Sequence, residues 1–424
     1  MLGAATGAVL GSAAATPAGV ARALGPVVSS PLFGPHIGVV VTDMATGQVL
    51  YSSNASAGFA PASTNKLATA VAALQVLGSA ATFRTTVVTG SGASSIVLVG
   101  GGDPTLAAGT PPASDYPQPA TLLVLAKRTA RALRARGRRS VQLGYDTSLY
   151  PGPGLAPSWP AAYIATGNVA VITPLEVDQG RVTATGAPAD TDESNGPRSA
   201  DPAALAAATF AGFLTADGIT VRGSPVQLTA PAGAATLASV QSPPLSEMIQ
   251  WMLEESNNVI AENLARHVAI ATGLQPSFSG AAAAVTSVLR RLGVTGEIQL
   301  YDASGLSPAD RISPQVLLQL IHLAATRERL RAALTGLPVA NFSGTLTTGG
   351  SVFGPGGPAA RGVVRAKTGN LTTVAALAGI AYARDGQLLA FAVMADKIPS
   401  GADLIPAATS MVGLASVLAR CGCR

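Results

Sequence analysis

Charged side chains are scarce in this 424-residue chain. Only 12% of its residues are charged, whereas 48% are hydrophobic, and the formal net charge is +5. This composition excludes a solvated, disordered chain, and the 47 glycines and 30 prolines indicate a folded protein with many turns. The length is sufficient for two or three domains with a sizeable core.

Histidine and cysteine are rarer still. His36 opens a predicted strand, and His267 and His322 lie in apolar helical runs, so we interpret each as structural. A serine-histidine triad is therefore not expected. Without a His-Glu-x-x-His pattern or paired-cysteine ligands, the sequence predicts no zinc site and no cofactor. Cys421 and Cys423 are separated by one residue, which is too close for an unstrained bridge.

Charge is absent from the first 21 residues, which are rich in alanine and glycine. Ala13-Ala14-Ala15 resembles a small-residue cleavage site. We predict that residues 1–33 form an N-terminal segment, for which an export signal, a membrane anchor and a flexible entry segment all stay open. The chemistry indicated by the rest of the chain favours export.

Basic residues cluster in one run, from Lys127 to Arg139. Leu122, Leu125 and Leu133 give this segment an apolar side, so we interpret the cations as the solvent-exposed face of a helix. Contact with an acidic polymer is the alternative. The remaining positive charge is spread along the chain, and no nucleic-acid partner is expected.

Lysine occurs only four times, and only Lys66 has a serine, Ser63, three positions before it. An apolar, helix-favouring run follows up to Gly78, so Ser63 is predicted to open a buried helix with Lys66 on the same face. A serine hydroxyl becomes a good nucleophile when a base takes its proton, and a lysine whose pKa is lowered can be that base. The structural alternative is an ordinary N-cap serine beside a surface lysine.

The surrounding pattern predicts an α/β (α+β) architecture. Strands are predicted at 36–42 and 48–52 before the buried helix, and helical stripes return from residue 245. Further strands are predicted at 363–369, 374–383 and 388–394, with a closing helix within 402–419. Between about residues 85 and 245, short strands, glycine clusters and proline-rich loops indicate an insertion that shapes or shields a site.

Two more short patterns carry polar residues. Ser256 and Asn258 lie in a break between predicted helices, in a Ser-x-Asn pattern that occurs three times. Lys367-Thr368-Gly369 occurs once, on a predicted strand whose glycine permits close approach of a ligand backbone. In this order, Ser-x-x-Lys, Ser-x-Asn and Lys-Thr-Gly are typical of active-site-serine β-lactamases and penicillin-binding proteins.

Residue types suggest the steps of an acyl transfer. Ser63 is expected to attack an acyl carbon, while Lys66, held neutral by burial and by the cation Lys367, accepts its proton. Ser256 can relay a proton to the leaving nitrogen. Asn258 can fix both Lys66 and a substrate amide by hydrogen bonds.

Substrate contacts are predicted along the Lys-Thr-Gly strand. Lys367 and Thr368 offer a charge and a hydroxyl to a substrate carboxylate, and Gly369 lets the strand edge lie against an extended peptide. The backbone N–H groups of Ser63 and Asn370 are expected to hold the oxyanion.

With these motifs the chain resembles the low-molecular-mass penicillin-binding proteins of the D-alanyl-D-alanine carboxypeptidase/endopeptidase type, peptidase family S13. The resemblance extends over nearly all of the chain after about residue 34 and includes 101–106, 256–262, 302–307 and the long insertion. It implies cleavage of the terminal D-Ala of peptidoglycan stem peptides, or of peptide cross-links, through an acyl-serine, and acylation by β-lactam antibiotics. It therefore also implies a location in the periplasmic or cell-wall space of a bacterium, with or without membrane association.

The resemblance also assigns residues and domains. It implies that Ser63 is the nucleophile, Lys66 the base, and Ser256, Asn258 and Lys367 the remaining catalytic residues. It implies a transpeptidase-like domain, built from both chain ends, that carries two nested domains. The predicted ranges are 34–84 with 246–424 for the catalytic domain, 85–245 for the insertion, and within it 85–106 with 166–245 for one lobe and 107–165 for the other.

One residue departs from the family pattern. Asn370 follows Lys-Thr-Gly where threonine is frequent, which leaves the balance between carboxypeptidase and endopeptidase action open. A β-lactamase is one alternative function, but the insertion is large, no clear Glu-x-x-x-Asn element occurs, and Glu254 and Glu255 are interpreted as a helix end. A non-catalytic module that binds wall fragments or senses β-lactams is the other alternative.

Overall fold

The computed structural model describes residues 15–183, 185–186, 188, 196–348, 352–354, 356–399 and 403–423. Within these residues the α-helices are Pro17–Val28 (α1), Lys66–Leu77 (α2), Leu122–Ala135 (α3), Ala162–Ala165 (α4), Pro202–Ala216 (α5), Leu245–Glu254 (α6), Asn258–Ala271 (α7), Phe278–Arg291 (α8), Pro314–Thr326 (α9), Ala332–Thr335 (α10) and Leu404–Arg420 (α11). The strands are Ile37–Asp43 (β1), Val49–Ser53 (β2), Arg84–Thr89 (β3), Ser95–Val99 (β4), Ser140–Asp146 (β5), Thr220–Val221 (β6), Val226–Gln227 (β7), Thr236–Gln241 (β8), Ile298–Gln299 (β9), Arg311–Ile312 (β10), Val364–Leu371 (β11), Val374–Tyr382 (β12) and Leu388–Ala395 (β13).

A five-stranded antiparallel sheet joins the two ends of the chain in the order β11-β12-β13-β1-β2. Because successive side chains of a strand point to opposite faces, Val39 and Val41 pack with α1 and α11, while Val40 packs with α2, α6, α7, α8 and α9. Both faces are therefore covered by helices. This arrangement confirms the predicted α/β class and the early hairpin.

Helix α2 lies inside the helical layer, against α6, α7, α8 and α9. Every residue from Lys66 to Leu74 is buried, as expected of a helix that is apolar on nearly all sides. The predicted start of the helix was slightly wrong. Residues Ala62–Asn65 form a 3₁₀ turn, and the α-helix begins at Lys66, so Ser63 lies in the turn that leads into the helix.

The N-terminal region differs from the predicted separate segment. Thr16 caps α1, and Val20 and Leu24 are fully buried in the core layer that α1 shares with α11. Phe33 joins the same layer, so the described part of residues 1–33 is folded onto the sheet because it supplies apolar side chains to one face. Residues 1–14, including most of the Ala13-Ala14-Ala15 stretch, lie outside the described residues.

The two C-terminal cysteines are bonded to each other. Cys421 and Cys423 form a disulfide, with their Cα atoms 4.8 Å apart. That separation lies within the range that disulfides span, although a single residue intervenes. The Cys423 carbonyl accepts a hydrogen bond from the Thr16 amide at 2.7 Å, so this end of the chain is tied to the start of α1.

The insertion contains a second, six-stranded sheet, but its lobes are not divided where the sequence predicted. Strands β4 and β5 pair in parallel, and α3 forms the crossover between them. A parallel pair needs such a crossover, so α3 and β5 belong to the same layer and core as β3, β8 and α5. Residues 107–146 are therefore not a separate lobe. A smaller cluster that includes Tyr150 and Ile172 packs instead on Val259 and Leu306 near the first sheet.

Candidate active site

Ser63 lies on a tight backbone turn that an internal hydrogen bond holds. The preceding residue, Ala62, has a φ of +47°, which is uncommon for a residue with a side chain. The Thr64 hydroxyl donates to the Pro61 carbonyl at 2.7 Å and holds the turn. Because a 3₁₀ turn places residues three apart above one another, Ser63 and Lys66 face each other.

Lys66 is the centre of the site. Its Nζ atom lies 2.8 Å from Ser63 Oγ, 2.6 Å from Asn258 Oδ1 and 2.8 Å from the Ser304 carbonyl oxygen. The side chain is fully buried, and burial lowers the pKa of Lys66 to about 7, against the opposing effect of the Asp302 and Glu262 carboxylates. A substantial fraction of Lys66 is therefore neutral near pH 7, and its lone pair can take the hydroxyl proton of Ser63.

Two buried carboxylates hold the loop whose carbonyl contacts Lys66. Glu262 accepts hydrogen bonds from the Ala303 and Ser304 amides at 3.0 and 2.8 Å. Asp302 accepts from the Gly305 amide at 2.7 Å and from the indole Nε1 of Trp159, in the insertion, also at 2.7 Å. Burial, followed by the charge of Asp302, raises the pKa of Glu262 to about 7. These groups fix the third partner of the lysine.

The Ser-x-Asn turn connects α6 and α7. Ser256 is half-buried and has a φ of +61°, and Asn257 caps α7 by accepting from the Ile260 amide at 3.0 Å. Asn258 contacts Lys66 through its oxygen and donates through Nδ2 to the carbonyl of Asn168, in the insertion, at 2.7 Å. The amide orientation of Asn258 is thus fixed from two sides.

The turn also lines a small cavity. The cavity has a volume of about 60 Å³, and Ser256, Asn258 and Asn168 contribute to its wall. Ser256 and Asn258 therefore line the same cavity, whose wall does not include Ser63 or Lys66. The proton relay through Ser256 stays a prediction. Glu254 is the last residue of α6 and Glu255 follows as its C-cap, in agreement with the interpretation as a helix end.

The Lys-Thr-Gly segment lies on β11, the edge strand of the sheet. Lys367 is fully buried, and burial followed by the charge of Lys66 lowers its pKa well below the usual value. Thr368 Oγ1 lies 2.8 Å from Thr345 Oγ1. A methyl group at Gly369 would lie 3.0 Å from the Ser63 amide nitrogen and 2.8 Å from the Pro61 oxygen, so glycine lets the strand approach the turn that carries Ser63.

The structure brings the predicted residues together, but only some of them are in direct contact. Ser63, Lys66 and Asn258 are linked by hydrogen-bond distances, and the segment from Lys367 to Gly369 flanks the turn. Ser256 lies two residues from Asn258. Asn370 is exposed near the end of β11, where it pairs with Ala375.

Sequence reasoning assigned no role to the supporting residues Glu262, Asp302, Ser304, Asn168 and Thr345. The family resemblance covered the first three of them, within 256–262 and 302–307, and Glu262 also carried a signal of its own as a carboxylate within an apolar helical run of a chain that has few charges. Burial was predicted correctly as a cause of the lowered pKa of Lys66. The predicted second cause, the Lys367 charge, does not contribute to the lowered pKa of Lys66; instead, the charge of Lys66 lowers the pKa of Lys367.

The histidines lie away from this cluster of contacts. His36 pairs with Asp396 at 2.5 Å, and His267 stacks on Phe83 and lies 2.9 Å from the Gly102 carbonyl oxygen. Burial lowers the pKa of His267 to about 4. In the part of the chain that the structure describes, no group of three or more His, Cys, Asp or Glu residues could hold a metal ion.

Gly305 provides a test of how the loop and the turn fit together. Its φ is +83°, and a methyl group there would overlap the carbonyl oxygen of Ala62. We expect Gly305→Ala to lower the free energy of unfolding by about 3–5 kcal/mol and to slow acylation of Ser63. Gly293→Ala is the matched control, since its φ is +86° but no atom lies within 4 Å, and we expect a loss of about 1–2 kcal/mol. Equal losses in urea denaturation would contradict this account.

Comparison with known proteins gives a consistent set of similarities. The model of the D-Ala-D-Ala carboxypeptidase 3 (S13) family matches residues 22–197 and 189–418. Carboxypeptidase DacB of Mycolicibacterium smegmatis is 38% identical over 95% of this chain and 85% of its own length. The D-alanyl-D-alanine carboxypeptidase of Actinomadura sp. strain R39 is 31% identical over 86% of this chain and 78% of its own length.

The fold is similar to that of a solved structure. The crystal structure of penicillin binding protein 4 (dacB) from Haemophilus influenzae superposes with a TM-score of 0.75 at 22% sequence identity. The match covers 93% of this chain and 98% of that one. The two chains therefore share one architecture, including the insertion.

Proposed function

This chain belongs to the D-Ala-D-Ala carboxypeptidase 3 (S13) family, and on that premise we propose how its site acts as a serine-type DD-peptidase on peptidoglycan stem peptides. One observation carries the proposal. Ser63 Oγ and Lys66 Nζ are 2.8 Å apart, and the amine is fully buried, so a nucleophile and a base that can be neutral lie in contact. No other serine-lysine pair of this spacing occurs in the sequence.

The first step forms an acyl-enzyme. Ser63 Oγ attacks the carbonyl carbon of the penultimate D-Ala while its proton passes to Lys66 Nζ. The backbone N–H groups of Ser63 and Asn370 hold the oxyanion that develops on the carbonyl oxygen. Collapse breaks the C–N bond, and the leaving amine takes a proton from Lys66 through the hydroxyl of Ser256. Water then hydrolyses the ester and restores the Ser63 hydroxyl.

Lys367 is proposed to recognise the terminal carboxylate. Both lysines are buried, and the charge of Lys66 disfavours a charge on Lys367. A bound carboxylate opposes that effect, because an opposite charge nearby stabilises the ammonium form. Substrate binding therefore favours a proton on Lys367 and leaves Lys66 neutral, in the state in which it can act as a base.

Edge strand β11 is proposed to bind the peptide. An extended peptide can add to a free strand edge, and Gly369 allows the backbone of that edge to lie against the nucleophile turn. Thr368 adds a hydroxyl, which a hydrogen bond to the Thr345 hydroxyl orients. Asn370 supplies an N–H group but no hydroxyl, so we propose weaker retention of a terminal carboxylate and some action on D-Ala-diamino acid cross-links.

A β-lactam reacts at the same serine. Ring opening forms an ester with Ser63, but the amine stays attached to the acyl group, so the ester persists and the antibiotic inhibits the enzyme.

Carboxypeptidase relatives are consistent with a peptidoglycan substrate and action outside the cytoplasm. We propose that the protein is exported, with or without membrane association. Within the described residues, no helix has the length and apolar character needed to cross a bilayer.

The function is tested by product analysis. We expect the purified protein to release D-Ala from a synthetic stem pentapeptide, to be labelled stoichiometrically by a fluorescent penicillin, and to turn nitrocefin over slowly. Rapid nitrocefin turnover without D-Ala release would identify a β-lactamase instead. Mass spectrometry of purified wall digests shows whether D-Ala is released or cross-links are cleaved. A protein that is labelled by penicillin but produces neither change would be a sensing module.

A further inference from the structure

A group of cations on the insertion takes no part in the chemistry at Ser63. It consists of Lys127, Arg128, Arg131, Arg134, Arg136, Arg138 and Arg139, on α3 and just after it, which we name the α3 cation face. No Asp or Glu occurs between residues 116 and 145. Removing these seven from the 27 basic residues leaves 20, against 22 acidic ones, so the positive charge of the chain is concentrated here.

The α3 cation face is exposed and not neutralised. All of its side chains are exposed except that of Arg138, which is half-buried. Within the described residues, no carboxylate forms a salt bridge with any of them. Three guanidinium groups are held by backbone carbonyls, at 2.7 Å from Arg128 to Ser239, 2.6 Å from Arg134 to Asp217 and 3.0 Å from Arg136 to Ala132. A carbonyl orients a guanidinium without cancelling its charge.

Unpaired charges in this arrangement oppose one another. Lys127 and Arg131 are four residues apart, and Arg131 and Arg134 are three apart, at spacings where like charges destabilise a helix. A ligand that bears several negative charges in a row would relieve this repulsion. Lys127 to Arg134 span about 10 Å of helix axis, and the remaining arginines extend the array beyond the helix end. The cations on the helix thus form a row, which suits a linear polyanion.

Two features distinguish among polyanions. The apolar side of α3, including Leu122, Leu125 and Leu133, is fully buried in the insertion core, so it is not available to enter a membrane. Six of the seven cations are arginines, whose planar forks suit phosphate oxygens. We propose that the α3 cation face binds a linear phosphodiester polymer of the bacterial cell wall and so holds the peptidase near its substrate. The proposed function contributes only the compartment in which that polymer is met.

The test uses the full chain and a fluorescent poly(glycerol phosphate) of defined length. The variant Lys127→Gln, Arg131→Gln, Arg139→Gln removes three side chains that donate no hydrogen bond within the described residues. At low salt we expect binding to weaken by roughly 10- to 100-fold, and the slope of log K against log salt to fall by about 2. Anisotropy titrations at several salt concentrations measure both quantities.

The matched control variant is Arg291→Gln, Arg327→Gln, Arg331→Gln, which removes the same charge from exposed positions on other elements. The control and Ser63→Ala are expected to bind the polymer like the wild type, and the α3 variant is expected to retain labelling by penicillin. These comparisons distinguish a failure of this proposal from a failure of the catalytic assignment. The proposal is overturned if the polymer does not bind at low salt, or if the control loses as much affinity. It is also overturned if single-stranded DNA of equal charge or phosphatidylglycerol vesicles bind more tightly than the polymer.

Discussion

Replacing Ser63 by alanine is expected to abolish covalent labelling by penicillin and to lower D-Ala release by roughly 10⁴- to 10⁶-fold. The substitution removes the hydroxyl oxygen that is proposed to form the ester, while Lys66 keeps its contacts with Asn258 and Ser304. The fold should be little affected, because Ser63 is half-buried and its hydroxyl contacts Lys66. Gel fluorescence after incubation with labelled penicillin, and a D-Ala assay, measure the two losses.

Ser52→Ala is the control for Ser63. Ser52 also begins a Ser-x-Asn pattern, but it is exposed on β2. We expect labelling and D-Ala release at the wild-type level. Labelling that survives in Ser63→Ala, or that is lost in Ser52→Ala, would show that the nucleophile has been assigned incorrectly.

Replacing Lys66 is expected to lower the acylation rate by about 10³-fold or more, because the base is lost while the nucleophile remains. Lys66→Gln keeps a hydrogen-bond donor for Ser304, and Lys66→Arg keeps a cation that does not deprotonate near neutral pH. Both variants should be acylated slowly. Because Lys66→Arg keeps the positive charge, its slow acylation would show that the loss of a base, and not the loss of a charge, is responsible. Stopped-flow or quenched labelling gives the rate constants, and circular dichroism checks the fold.

Lys397→Gln is the control for Lys66. Lys397 is exposed, whereas Lys66 is fully buried. The control is expected to react at the wild-type rate. If Lys66→Arg acylates as fast as the wild type, the proton acceptor is another group.

Patterns within one element allowed part of the site to be predicted. The three-residue spacing of Ser63 and Lys66, before an apolar run, was sufficient to predict the contact and the burial that lowers the lysine pKa. The same holds for the start of α5, because an aspartate followed by proline is typical of an N-cap and a first helical residue. In the structure Asp201 accepts from the Ala204 amide and Pro202 begins the helix. In each case the interacting groups are only a few residues apart, so sequence spacing determines geometry.

The contacts that hold Lys66 and its partners in place could not be predicted, because they join distant parts of the chain. Asp302 meets Trp159 of the insertion, and Asn258 meets Asn168. Glu262 binds a loop that begins some forty residues later in the sequence. No local pattern encodes these pairs.

Two of the differences between the predicted and the observed fold concern the N-terminal segment and the lobe boundary. Lack of charge near the N-terminus fits an export signal, but it fits equally a helix such as α1 whose Val20 and Leu24 enter a core. The proline-rich loops near residues 151–160 suggested a boundary between lobes. The lobe boundary was misplaced because parallel pairing of β4 with β5, a long-range contact, keeps α3 and β5 in the larger sheet.

The central claim is that a buried, neutral Lys66 takes the proton of Ser63, and the pH dependence of acylation tests it most directly. Burial lowers the pKa of Lys66 to about 7, so the neutral fraction grows as pH rises through 7 and is nearly complete above pH 8. The second-order rate constant for acylation of the wild type at subsaturating penicillin should therefore rise about tenfold per pH unit below 7 and level off above it. A rate constant that is flat from pH 5.5 to 8.5, or that falls as pH rises, would contradict the claim.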